Sequence, residues 1–269
     1  MKLNFINQNF DKIEINEIDE REVLMARLIG LLLTDGSLWC NKKSKLWSIS
    51  FTSNSDELVA EFENLIFELF HLKVHKRLYK GSWEVKGGIS KKVAAELTSY
   101  SPTYRTLAYS KEENKYPESK IPEFIFERLE LAKEFLRYAF TGDGTVIFNI
   151  GKARYGFRFD RCVKLYCEHP NLRKQYYELL EKLGYKPTML KDAVLLRKPE
   201  NIKKFEREIG FVEGVKISGN GLWKGIPKSQ LLKFAANSYG LKPSELGKTK
   251  SDIHTNLIKL ILRPGDQMI

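Results

Sequence analysis

Two apolar runs, LIGLLLTDG at 28–36 and LRYAFTGDG at 136–144, each stop on an Asp-Gly pair. Their apolar spacing is helical, so Asp35 and Asp143 fall at helix C-termini. That is a poor place for an anion: the last carbonyls lack partners and the helix dipole is already negative there. One such ending is an ordinary turn dipeptide. Two of them, at positions 35 and 143 and each heading a similar run of elements, describe a duplicated unit about one small domain long.

Carboxylates beside free carbonyls suit a hard divalent cation, which takes oxygen ligands. Without a cation, two adjacent carboxylates raise each other's pKa. Close approach of the two helices requires small residues. The first offers Ala26, Gly30 and Thr34 at intervals of four; the second offers Ala139 and Gly142, interrupted by Tyr138.

The surrounding pattern occurs twice. A helix from about Glu20 to Asp35 has Asp19 as N-cap, Glu22 in capping-box position and Gly36 where a left-handed C-cap is expected. The alternation in LWSISFTS (46–53) predicts a strand, with Trp47, Ile49 and Phe51 on one face. An amphipathic helix over 55–70, two short strands around a Gly81-Ser82 turn and a helix in SKKVAAELTSY complete the set. After a Lys-, Glu- and Pro-rich connection (110–122) the order begins again. A helix over 130–143 leads to the strand TVIFNI, then to the alternating stretch 155–166. A helix with Gly184 as C-cap, the strands YKPTML and AVLLRK, and the helix PENIKKFEREIG follow. The division expected is an N-terminal arm (1–17), repeats at 18–128 and 129–217, and a helical extension (218–269). In that extension Ala236, Gly240 and Leu246 have helix-turn-helix spacing.

With 45 Lys and Arg against 34 acids, the net charge is +11 and the pI near 9.3, an excess that favours a polyanionic partner. The 42% hydrophobic content is that of a globular chain. Cys40, Cys162 and Cys167 form no disulfide framework, which points to a reducing compartment. Cys162, Cys167 and His169 supply three of the four ligands structural zinc needs, and read as ordinary strand residues instead. The first twenty residues lack a signal-peptide core and no apolar run approaches a membrane span, so an intracellular soluble chain, cytoplasmic or organellar, is expected.

LIGLLLTDG and LRYAFTGDG resemble the two motifs of single-chain LAGLIDADG homing endonucleases. The lead-in PESKIPEFIFERLELAKEFLRYAFTGDG and the closing FEREIGFVEGVKI are similar to the same family, so the likeness covers about 18–217. It implies an α+β fold of two pseudo-symmetric αββαββα repeats, whose antiparallel sheets form a DNA-binding saddle, plus the helical extension. It implies a monomer that hydrolyses both strands of duplex DNA at a long asymmetric target. Mg²⁺ would be held by Asp35 and Asp143 with the preceding Thr34 and Gly142, Mn²⁺ or Ca²⁺ being substitutes. Lys216 matches a position where the family often keeps a catalytic lysine. Departures from the motif are Leu33 and Thr141 at the sixth position and Tyr138 for glycine. Auxiliary polar groups that often follow the first strand of each repeat are replaced here by Ser53-Asn54 and Cys167-Glu168.

The sheets fit the same reading. Over 155–166, Phe157, Phe159, Val163 and Leu165 form an apolar face broken by Arg161; Arg158, Asp160, Cys162, Lys164 and Tyr166 form a polar one. Arg and Asp suit guanine and cytosine edges in the major groove. Arg158, Asp160, Lys164 and Tyr166 are therefore DNA-contact candidates. Ser48, Ser50 and Thr52 are their counterparts in the first repeat, with Arg77, Lys80, Trp83, Lys191 and Arg197 nearby. Two rivals stand beside this reading. One is a cleavage-inactive RNA maturase or transcriptional regulator of the same fold; the other is a basic RNA-binding or ribosome-associated protein whose Asp-Gly pairs are only caps.

Overall fold

The computed structural model describes residues 19–110, 115–219 and 221–262, so the expected arm at 1–17 and part of the 110–122 connection lie outside the described residues. The first repeat runs α1 (Glu20–Leu32), β1 (Gly36–Cys40), β2 (Trp47–Ser53), α2 (Asp56–Phe70), β3 (His75–Tyr79), β4 (Ser82–Ile89), α3 (Lys91–Tyr100). After a short α4 (Glu123–Glu127), the second runs α5 (Leu129–Asp143), β5 (Gly144–Lys152), β6 (Phe157–Tyr166), α6 (Pro170–Lys182), β7 (Thr188–Met189), β8 (Ala193–Leu196), α7 (Pro199–Glu208). Both are αββαββα, and their antiparallel sheets have equivalent strand orders, β1-β2-β4-β3 and β5-β6-β8-β7. The tail forms α8 (Lys228–Asn237), a 3₁₀ turn at Ser238–Gly240, α9 (Pro243–Leu246) and α10 (Lys250–Ile261).

Local chemistry sets the element boundaries. Asp19 accepts from the Arg21 amide at the start of α1, and Ser55 and Ser90 cap α2 and α3 in the same manner. Glu22 does not close a capping box; it forms an ion pair with Arg128 across the two repeats. The β3–β4 turn is Lys80-Gly81, not Gly81-Ser82. Both turn residues have positive φ (51° and 81°) and Tyr79 pairs with Ser82, as a tight hairpin requires.

α1 and α5 cross at the centre of the molecule, and nearly every apolar residue on them is buried. Gly36 and Gly144 serve a different purpose from the expected left-handed cap. Gly144 is extended (φ −102°, ψ 164°), and a Cβ there would lie 2.4 Å from the Phe140 carbonyl oxygen; at Gly36 it would lie 2.6 Å from Leu32 Cα. Glycine is needed because the chain folds back against its own helix as it enters the sheet.

The repeats differ in one respect. β1 and β2 hold 5 and 7 residues, whereas β5 and β6 hold 9 and 10. The longer hairpin needs more cover on its apolar side, and the tail supplies it. The Phe148 ring packs on Trp223 and Phe234, and the Trp223 indole donates to the Phe148 carbonyl. Arg161, the break in the apolar face, donates to Ser238 Oγ (2.9 Å) and to the Ser238 carbonyl (2.6 Å). The tail thus shares one core with the second repeat. Among the described residues no helix is long and apolar enough to cross a membrane.

Candidate active site

The site lies where the two motif helices end. A Cβ at Gly30 would fall 2.7 Å from the Phe135 carbonyl oxygen and 3.0 Å from Tyr138 Cβ. One at Gly142 would fall 2.5 Å from Thr34 Oγ1 and 3.3 Å from an Asp35 carboxylate oxygen. Each helix therefore presses a glycine against the other, and the second contact sets Asp35 beside the end of α5. Tyr138, in the place of a motif glycine, does not hold the helices apart. Its ring turns aside and its hydroxyl donates to Glu61 at 2.7 Å.

Burial raises the pKa of both carboxyls, to about 6 for Asp35 and about 7 for Asp143. The charge of Asp35 adds to the rise at Asp143, and the Lys228 ammonium opposes both. Lys228 went unnoticed in the sequence. It opens α8, is buried, and its Nζ donates to the Thr141 carbonyl (2.6 Å) in the last turn of α5 and to the Gly144 carbonyl (2.7 Å) at the start of β5. Burial pulls its pKa down to about 8, against the attraction of the two aspartates. One ammonium faces two carboxylates, so the site carries a surplus of negative charge that a hard cation would neutralise.

The donor set fits such an ion as far as the carboxylates go. Among the described residues there is no cluster of three or more His, Cys, Asp or Glu side chains, so further oxygen ligands must be backbone, water or substrate. The Thr34 hydroxyl is committed to its own helix, donating to the carbonyls of Gly30 and Leu31. Any share Thr34 and Gly142 have in holding metal falls to their carbonyls. A cavity of about 300 Å³ opens beside Asp35, lined also by Thr52, Ser53, Gly142, Lys216 and Lys228 among others. Lys216 is exposed on its rim, in a β-bridge to Pro227.

Residues 130–210 match the family model described as LAGLIDADG-like domain. The second repeat is thus similar to a LAGLIDADG-like domain. The I-LtrWI LAGLIDADG homing endonuclease bound to target DNA superposes with a TM-score of 0.56 at 12% identity, over 93% of this chain and all of that one, so both repeats together have the two-repeat LAGLIDADG fold. I-DmoI in complex with DNA and Mn also matches, with a TM-score of 0.48 and 17% identity, over 70% of this chain and 97% of that one. No curated protein matches the chain.

Within the LAGLIDADG fold the other candidates divide by sheet face. Ser48, Ser50 and Thr52 stand opposite Gly88, Lys86 and Glu84, and Glu84 stands opposite Arg77; all share the face turned away from the helices. Arg77 and Lys86 both pair with Glu84. Trp83 has the opposite parity: it lies with Val85 on the helix side and donates to Asp56 at the start of α2, off the face that carries the other candidates. Arg158, Asp160, Lys164 and Tyr166 share the open face of the second sheet. Arg197 follows β8 within reach of the Cys162 thiol, also on that face. Lys80 and Lys191 lie in the exposed β3–β4 and β7–β8 turns. His169 is structural: Nδ1 accepts from Leu172 N as the cap of α6, and Nε2 bonds the Pro117 carbonyl.

Proposed function

We propose that this chain is a divalent-metal-dependent endonuclease that hydrolyses both strands of duplex DNA at a long asymmetric site. The observation that carries the reading is the buried, undercompensated pair Asp35 and Asp143 at the crossing of two LAGLIDADG helices, with a polar sheet face on either repeat. A divalent ion held there would polarise a phosphodiester and lower the pKa of an attacking water.

The chain's own groups do the rest. Asp35 and Asp143 would hold the ion or ions through carboxylate oxygens, aided by the carbonyls of Thr34 and Gly142. Lys228, pinned by two carbonyls, keeps positive charge beside the reacting phosphate and keeps the carboxylates ionised. Lys216, at the rim, meets the incoming phosphate. Ser48, Ser50, Thr52 and Arg77 on one face and Arg158, Asp160, Lys164, Tyr166 and Arg197 on the other contact base edges. Lys80 and Lys191 contact backbone phosphates. Two unlike faces in one chain suit a non-palindromic site, which a symmetric dimer does not.

The test is cleavage of a selected duplex with Mg²⁺ by the wild type, Asp35→Asn and Asp143→Asn, with Mn²⁺ in place of Mg²⁺ as a second condition. Double-strand cutting by the wild type and its loss in both variants is expected. Full cutting by either variant removes these residues from the reaction. A footprint with no nicking under any divalent ion moves the chain to the DNA-regulator or RNA-maturase reading.

A further inference from the structure

The first-repeat ladder runs from Gly36 opposite Phe51 only to Cys40 opposite Trp47, and then gives way to the exposed loop 41–46. The second continues from Gly144 opposite Leu165 to Lys152 opposite Phe157. Rung for rung, Phe148 opposite Arg161 matches Cys40 opposite Trp47, so the outer part begins just beyond it, and this root rung is what the tail packs against from behind, through Trp223, Phe234 and Ser238. Beyond that rung the front of the hairpin presents Asn149, Arg158 and Asp160, all exposed. Arg158 and Asp160 bond each other at 3.0 Å, and a Cβ on the facing Gly151 would lie 2.7 Å from Asp160, so the pair lies flat over the bare glycine. Lys152, Arg154 and Tyr155 crowd the tip.

We infer that the C-terminal extension is a buttress that makes the outer β5–β6 hairpin a rigid base-reading arm, so that the half-site under the second repeat is the longer one. This rests on the proposed binding of duplex DNA. Three features favour a buttress over a separate DNA-reading helix pair. The tail's apolar residues are spent on the shared core. Arg161, half-buried on the back of β6, ties the end of α8 to the strand whose front carries Arg158 and Asp160. An arm reads bases only if it is held against the groove, and a two-stranded ribbon alone is marginal in water. Four additional ladder residues at ~3.3 Å each extend the arm by about 13 Å. At 3.4 Å per base step that is roughly three to four base pairs.

The experiment is selection of bound sequences from a random duplex library by the full chain in Ca²⁺, with the midpoint located by footprinting. The expected motif reaches about three base pairs further on one side. The exposed double variant Arg158→Ala/Asp160→Ala loses preference at those outermost positions alone. Arg161→Met weakens the same positions while leaving the motif under the first repeat intact. Equal arms, or outer positions indifferent to Arg158→Ala/Asp160→Ala, overturn the inference. So does loss of those positions on substituting Lys248 and Lys250 of the tail by Ala. If a lopsided motif is selected but Mg²⁺ produces no cut, the nuclease reading fails and the buttress stands. If no sequence is enriched, both fail.

Discussion

Asp35 and Asp143 hold more negative charge than their surroundings neutralise, and this surplus has a measurable signature. Both folded-state pKa values, about 6 and about 7, lie above the ordinary 3.8. Between pH ~4 and 7 the folded protein keeps protons that the unfolded chain has released, so metal-free stability falls as pH rises through that window. Lys228 acts the other way. Its folded pKa of about 8 lies below 10.5, so stability recovers between those two values as the unfolded chain alone stays protonated. Chemical unfolding in chelator across this range should trace a shallow trough near pH 7–8. Asp35→Asn leaves one carboxylate facing one ammonium. It should fill the trough, stabilising the metal-free protein at pH 8 by on the order of 2 kcal/mol, while abolishing cleavage. A variant less stable than the wild type in chelator would mean that the two carboxylates are not in surplus. The aspartates were legible in the sequence because each sits at a repeated local signal. Lys228 was not, because the Gly144 and Thr141 carbonyls it bonds are 84 and 87 positions away and nothing near it in sequence marks it.

At the scale of elements, the crossing of α1 and α5 depends on the absence of two Cβ atoms. The Gly30→Ala methyl would meet the Phe135 carbonyl oxygen at 2.7 Å, a backbone atom that cannot rotate away. Overpacking of this kind costs about 1–3 kcal/mol, and the helix-propensity gain of alanine returns at most ~1. Gly30→Ala should lower the thermal midpoint and also separate Asp35 from Asp143. Its cutting rate at a fixed temperature well below that midpoint should fall further than the small loss of folded protein explains. The stripe Ala26, Gly30, Thr34 announced this contact because helical neighbours are close in sequence. The accommodation of Tyr138 was hidden, since its relief is Glu61 on α2, 77 positions away. The face of Trp83 was hidden for a related reason: strand parity decides it, and one turn residue sets the parity. With the turn at Lys80-Gly81, Trp83 points to Asp56 and the helices. Alternation within β6 was read correctly because ten residues of one strand carry their own phase.

At the scale of the whole molecule, the tail decides whether the second repeat stands at all. Composition and spacing showed helices after 218 and left open whether they were a separate module. The break at Arg161 was visible in the sequence, and its cause, Ser238, was not, being 77 residues downstream. A chain ending at Ser218 strips Phe148 of Trp223 and Phe234, leaves the half-buried Arg161 guanidinium without its Ser238 acceptors, and removes Lys228 from the Thr141 and Gly144 carbonyls. Re-exposing one large aromatic costs ~2–3 kcal/mol. Each orphaned buried polar group adds about 1–3 more. Together these losses approach the ~5–15 kcal/mol by which a domain is stable at all. The truncated chain should therefore lose its cooperative thermal transition and aggregate, as followed by calorimetry and light scattering. A separable module makes the opposite demand: the shortened protein would melt cooperatively near the full-length midpoint. Arg161→Met separates the two contributions, because it keeps the apolar cover and removes only the tie to Ser238. If the tie carries its share, that variant should lower the midpoint by several degrees and still unfold in a single transition.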